Sequence, residues 1–219
     1  MIHLACQHRG LDLLYPTIEI KMYSFNCIQK TFLYYKSLNI RVALIRLEIW
    51  NDQDKITVTN NPYSTLGAFL AWRRKQLPND NAQLVTSGTI IGLAPLKAMC
   101  SEYQSGGVNS DHSNSAVGVA ATMAHEMGHN FGMSHDSPGY FPFLVNRHFK
   151  INSKELKRYL SSGGGKCLFN PPNTRVMYGG QRCGNGYLEE GEECDCGEVE
   201  VRREFHCFPS HLLPRCDFD

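Results

Sequence analysis

The sequence predicts an α/β domain followed by a short cysteine-rich tail. Three observations carry this prediction. Helix-like and strand-like segments alternate through the first half, a run rich in Ala and Met ends in closely spaced histidines, and five of the nine cysteines crowd into the last 37 residues.

Residues 1–21 show little pattern beyond Thr17-Ile18-Glu19-Ile20-Lys21 and read as a divergent N-terminal segment. From Met22 to Ser37, Phe25, Ile28, Phe32 and Tyr35 recur at helical spacing. Asn39 precedes the β-branched run Ile40 to Ile45, which Leu47, Ile49 and Trp50 extend as a strand. Asn60-Asn61-Pro62 marks a turn. Ser64 is the expected N-cap of a helix presenting Leu66, Phe69, Leu70 and Leu77 on one face. Two short strands follow, Gln83 to Thr86 and Gly88 to Leu93, and Pro95 confines the second to an edge or ends it. Ser105-Gly106-Gly107 and Ser110 to Asn114 read as loop, Ala116 to Asn130 as a helix. Lys154 to Leu160 forms a further short helix, stopped by Ser161-Ser162-Gly163-Gly164-Gly165. A linker over 170–182 opens on Asn170-Pro171-Pro172-Asn173, and residues 183–219 make the tail.

The charge balance, 22 Lys+Arg against 21 Asp+Glu, gives +1 and argues against a nucleic-acid partner or a basic membrane patch. No apolar stretch reaches the ~20 residues of a spanning helix, and the N-terminus lacks the apolar core of a signal peptide. The cysteine density points instead to disulfides formed in an oxidising compartment. An odd count of nine leaves one thiol over or marks an altered framework, so the chain reads as a fragment or aberrant form.

The chemistry lies in His125-Glu126-Met127-Gly128-His129. Positions i and i+4 share a helical face, so both imidazoles reach one ion. Gly132 can take φ > 0 and turn the chain sharply, which brings His135 up as a third ligand. Three protein ligands leave Zn²⁺ an open position, as catalytic sites require. Glu126 is too constrained to bind the same ion and is placed to take a proton from the attacking water. A chance HExxH on an exposed helix is the competing reading, and the extended spacing to Gly132 and His135 counts against it. His3, His8, His112, His148, His206 and His211 show no such spacing and read as surface residues.

The run His125 to Asp136 resembles the active site of the adamalysin metzincins, the ADAM family (a disintegrin and metalloproteinase). The likeness extends through Asn51 to Tyr63, Asp80 to Leu84, Gly92 to Leu96 and Cys100 to His112. Arg182 to Gly197 resembles the opening of a disintegrin domain, so that residues 31–136 and 154–200 are covered. Two runs, Tyr159 to Gly165 and Met177 to Gly180, narrow the likeness to one branch of the family.

The resemblance implies a protease domain over 22–169, with a twisted, mostly parallel sheet and an active-site helix, and a partial disintegrin domain over 183–219. It implies a cell-surface, single-pass membrane protease with one catalytic Zn²⁺, acting on membrane-protein ectodomains, with integrins as further partners. Gly88, Thr89, Ile90, Ile91, Gly92, Leu93 and Ala94 would form the edge strand that pairs with an extended substrate. Cys100 would bond Cys167. Asp80, the Cys167 carbonyl and Asn170 would contribute to a Ca²⁺ site remote from the zinc. Asn185, the Leu188 carbonyl, Glu190, Glu193 and Asp195 match a second Ca²⁺ segment, for which a solvated charge cluster is the alternative.

Three departures from the family pattern stand out. Residues 1–21 do not resemble the expected first strand, which predicts a missing central strand and leaves Glu19 a weak substitute for a Ca²⁺ ligand. No methionine or cysteine falls between Met133 and Cys167, so the Met-turn and its disulfides are absent. From Val201 the tail leaves the disintegrin cysteine pattern. These departures set a second expectation beside the protease: a catalytically impaired fragment serving as an adhesion or disintegrin-type module.

Overall fold

The computed structural model describes residues 2–7, 30–31, 34–36, 38–50, 53–87, 92–113, 115–135 and 153–170. The chain divides into two compact units, Met1–Pro171 and Pro172–Asp219. The second lies wholly outside the described residues, as does the disintegrin-like tail expected there.

Five strands form one sheet: β1 (Ile2–Gln7), β2 (Leu44–Trp50), β3 (Asn81–Thr86), β4 (Gly92–Leu93) and β5 (Gly106–Ser110), in the spatial order β2-β1-β3-β5-β4. Every pairing is parallel except β4 with β5, so the sheet is mixed and mostly parallel, with one antiparallel edge. The N-terminal segment corrects the expectation of a missing central strand. Ile2–Gln7 lies between β2 and β3 and pairs with both. Six residues are too few to display a period against their irregular surroundings, and long-range pairing makes this strand.

β2 begins at Leu44 rather than Ile40, because its register with β1 starts at Ile2 against Leu44. Val42 and Ala43 are buried without a strand partner in this ladder. The loop expected at Ser105-Gly106-Gly107 is corrected too: Gly106 opens β5, all of whose residues are buried. Two glycines hid it, since glycine is depleted in strands. The packing requires them. A Cβ on Gly106 would stand 2.7 Å from the Ala82 carbonyl oxygen, and one on Gly107 2.8 Å from Gln83 Oε1.

Helix α1 (Pro62–Arg73) starts two residues before the expected cap. Asn61 Oδ1 accepts from the Tyr63 and Ser64 amides, and Pro62 supplies the fixed φ of the first turn. Leu66 and Phe69 pack with Trp50, Ala82, Leu84 and Val108, whereas Leu77 lies beyond the helix and is exposed. At the end of α1, the Arg73 guanidinium binds the carbonyls of Asn79, Ser101 and Glu102 and the Asn79 side chain.

Helix α2 (Ala116–Asn130) covers the other face of the sheet, over β5 and β4. Alternation along β3 separates the faces: Ala82 and Leu84 meet α1, while Asn81 and Gln83 lie under α2. Ala124, Met127, Phe131 and Met133 continue into a cluster with Tyr35, Val42, Met99, Leu156 and Tyr159. Of the N-terminal helical run, Lys30, Thr31 and 34–36 are described and helical. Thr31 and Tyr35, four apart, donate to the carbonyls of Ala120 and Ala124, also four apart.

Helix α3 (Ser153–Ser161) and a 3₁₀ turn (Lys166–Phe169) close the unit, separated by Gly163 and Gly165 at φ 86° and 67°. A Cys100–Cys167 disulfide ties this end back across 67 residues of chain. Closing such a loop in the unfolded state corresponds to about 4 kcal/mol. Replacing both cysteines by Ser is expected to lower the unfolding free energy by that order, read from denaturant melts.

Candidate active site

Helix α2 carries His125 and His129 on one face, one turn apart, as their four-residue spacing dictates. The helix ends beyond them. Gly132 takes φ 82°, its amide donates to the His129 carbonyl, and the Met133 amide donates to the Gly128 carbonyl. The chain then doubles back and delivers His135. Its Nε2 stands 3.0 Å from His125 Nε2 and 3.0 Å from His129 Nε2.

Zinc–nitrogen bonds of about 2.0–2.1 Å in a tetrahedral set separate the nitrogens by about 3.3 Å. The triad fits one such ion. Among the described residues it is the cluster of His, Cys, Asp and Glu side chains arranged for a metal.

Protonation agrees with that donor set. Burial, followed by the neighbouring His129 and His135, pushes the His125 pKa down to about 4. Burial lowers His129 as well. His129 Nδ1 lies 2.7 Å from the Met133 carbonyl oxygen, which can only accept. Nδ1 therefore donates, and the neutral ring leaves its Nε2 lone pair free for a metal.

The Glu126 side chain is buried, 4% exposed, and packs against the glycines of β4 and β5. A Cβ placed on Gly92 would collide with its Oε1, and one on Gly107 would lie 3.2 Å from its Cβ. Its Oε2 is buried without a hydrogen-bond partner, and burial raises the pKa to about 7.

In the metal-free chain the folded state keeps the Glu126 proton up to about pH 7, whereas an ordinary glutamate releases it at 4.5. Between those values the folded state holds more protons, so stability falls as pH rises. Glu126→Gln removes this loss. In chelator-treated protein the variant is expected to gain on the wild type by up to about 3 kcal/mol between pH 4.5 and 7, read from denaturant melts. His125 shifts the opposite way but is present in both proteins.

A chain of buried amides runs across the sheet beneath α2. Asn109 Nδ2 donates to Gln83 Oε1 (2.9 Å), Gln83 Nε2 to Asn81 Oδ1 (2.7 Å) and Asn81 Nδ2 to Asn130 Oδ1 (2.6 Å). Asn130 in turn donates to the carbonyls of Pro95 and Gly106. The Lys97 and Met99 amides bond the carbonyls of His129 and Asn130. The end of α2 is thereby stitched to the segment that leaves β4. On the other side, both Glu155 oxygens accept from Ser134, one from its amide and one from its hydroxyl, each at 2.8 Å. Those bonds hold the residue just before His135. Sequence reasoning missed Asn81, Asn109, Asn130 and Glu155; polar residues inside a strand or at a helix end were the available signal.

Some of the other expected site residues lie outside the described set. Gly92 and Leu93 form the edge strand β4 and Ala94 follows it, while Gly88, Thr89, Ile90 and Ile91 are not among the described residues. Asp80 accepts through its carbonyl from the Ser105 hydroxyl. Cys167 lies in the 3₁₀ turn and Asn170 caps its end. Asn185, Leu188, Glu190, Glu193 and Asp195 are outside the described residues.

A mostly parallel sheet with one antiparallel edge, crossed by a helix whose two histidines meet a third beyond a glycine turn, defines a zinc metalloprotease of the metzincin type. The Reprolysin (M12B) zinc metalloprotease family matches residues 15–140, and the chain belongs to that family. It is 58% identical over 208 residues to human disintegrin and metalloproteinase domain-containing protein 19, covering 83% of this chain and 22% of that protein. That protein is meltrin beta, the branch to which Tyr159 to Gly165 and Met177 to Gly180 point. Mouse protein 12 of the same series is 45% identical, over 76% of this chain and 22% of its own length. Human protein 33 is 42% identical, over 79% and 24%. The chain thus spans about a fifth of the length of these relatives.

Proposed function

We propose that this chain is a zinc-dependent metalloendopeptidase that hydrolyses peptide bonds by direct attack of water. The convergence of three imidazole Nε2 atoms, with the buried Glu126 next to the first of them in sequence, carries the reading. His125, His129 and His135 would hold the ion. When bound, zinc supplies Lewis acidity that polarises water and the peptide carbonyl. Glu126 takes the proton of the attacking water and returns it to the leaving amine, a task suited to a carboxyl whose pKa lies near neutrality. The edge strand β4 would pair with the extended substrate backbone and set the scissile carbonyl against the site.

By family, the substrates are membrane-protein ectodomains at the cell surface, and the disintegrin-like segment would engage integrins. No helix among the described residues is long and apolar enough to cross a membrane. The calcium sites at Asp80, Cys167 and Asn170, and at Asn185, Leu188, Glu190, Glu193 and Asp195, belong to the same proposal. Oxygen donors suit that ion.

The test is cleavage of a broad peptide library by the full chain. Hydrolysis should vanish with a zinc chelator and return with added zinc. Zinc binding without any turnover would favour the second reading, an impaired lobe serving as an adhesion module. The departure from the family pattern after Asp136 is the observation behind that alternative.

A further inference from the structure

We infer that Gly92 is a positioning residue for Glu126: its missing side chain is the seat into which the Glu126 carboxylate fits. The inference rests on the proposed role of Glu126. β4 and β5 run antiparallel with Gly92 opposite Asn109, and α2 lies over both strands. Cross-strand partners present their Cβ positions to the same face, and residues two apart on one strand share a face. Gly92, Gly107 and Asn109 therefore line one patch beneath the helix.

A Cβ on Gly92 would strike Glu126 Oε1 and stand 2.8 Å from its Cδ and 3.0 Å from its Cγ. It would meet the whole end of the side chain, so rotating the carboxylate does not relieve the clash. Gly107 acts at the other end, where a Cβ would come within 3.2 Å of Glu126 Cβ. The first glycine sets where the carboxylate lies, the second how closely the helix approaches. Shape decides here because Glu126 Oε2 has no hydrogen-bond partner to fix it. The same residue sits on the edge strand proposed to align substrate. One position thus links the depth of the general base to the path of the peptide it serves.

The experiment is a double-mutant cycle in the full chain between Gly92→Ala and Glu126→Asp, which withdraws the carboxylate by one methylene. Gly92→Ala is expected to lower kcat by about 10²-fold, with KM and zinc content little changed. Its thermal midpoint should drop by about 2–8 °C. Glu126→Asp should lower kcat in the wild type but not further in Gly92→Ala, and should return the lost midpoint. Gly67→Ala, inside helix α1 where an added Cβ meets nothing within 4 Å, is the control: it should leave kcat, KM and zinc content unchanged, and its midpoint should not fall but rise with the better helix former.

Unchanged kcat in Gly92→Ala, or an equal cost of Glu126→Asp in both backgrounds, overturns the inference. A wild type without activity defeats the functional reading but not this one. The midpoints of Gly92→Ala, Glu126→Ala and their combination then decide: relief of the clash supports the seat, additivity overturns it. Should Gly92→Ala alone fail to fold, a folded G92A/E126A supports the inference and an unfolded one overturns it.

Discussion

Glu126→Gln is expected to lower kcat for peptide hydrolysis by about 10²–10⁴-fold, the usual contribution of a general acid–base group. KM and bound zinc should stay close to wild type. Gln keeps the size of the buried side chain and removes the group that exchanges protons. Glu126 is not one of the three grouped metal donors, so those are left intact. The variant is therefore a loss of chemistry without loss of site. Steady-state kinetics on a fluorogenic peptide, with metal analysis on the same sample, reads both parts. A variant retaining wild-type kcat would remove Glu126 from the mechanism.

His129→Ala is expected to abolish zinc retention through gel filtration and, with it, measurable hydrolysis. This histidine is the best-organised of the three. Helix α2 fixes its backbone, the Met133 carbonyl fixes its ring through Nδ1, and its Nε2 faces His135 at 3.0 Å. Two remaining ligands cannot match the three-point site, and catalytic zinc sites use three protein donors. Fold should persist, because the His129 side chain is not itself part of the apolar cluster formed by Met127, Phe131, Met133 and Tyr35. Circular dichroism beside metal analysis separates site loss from unfolding.

The site was legible because its geometry is local. Four-residue spacing on a helix places His125 and His129 together, and Gly132 supplies the turn to His135, all within eleven residues. Helix Ala116–Asn130 was legible for the same reason, its pattern being long and continuous. What escaped the sequence is what depends on distant pairing. Ile2–Gln7 becomes a central strand only because β2 and β3 flank it. Ser105-Gly106-Gly107 reads as loop by composition, yet Gly106 and Gly107 belong to β5, and tight packing against Ala82 and Gln83 demands those glycines. The amides of Asn81, Gln83 and Asn109 join into one chain only once the strands pair and α2 covers them. Ser64 yielded to Asn61 because a proline in the first turn favours the earlier cap.

Zinc-edge X-ray absorption on the full chain decides whether His125, His129 and His135 form a three-imidazole zinc site. One zinc per chain is expected, surrounded by light atoms, three of them imidazole nitrogens at about 2.0–2.1 Å. Sulfur neighbours at about 2.3 Å, placing the metal on the cysteines, or a chain that retains no zinc, would refute that site.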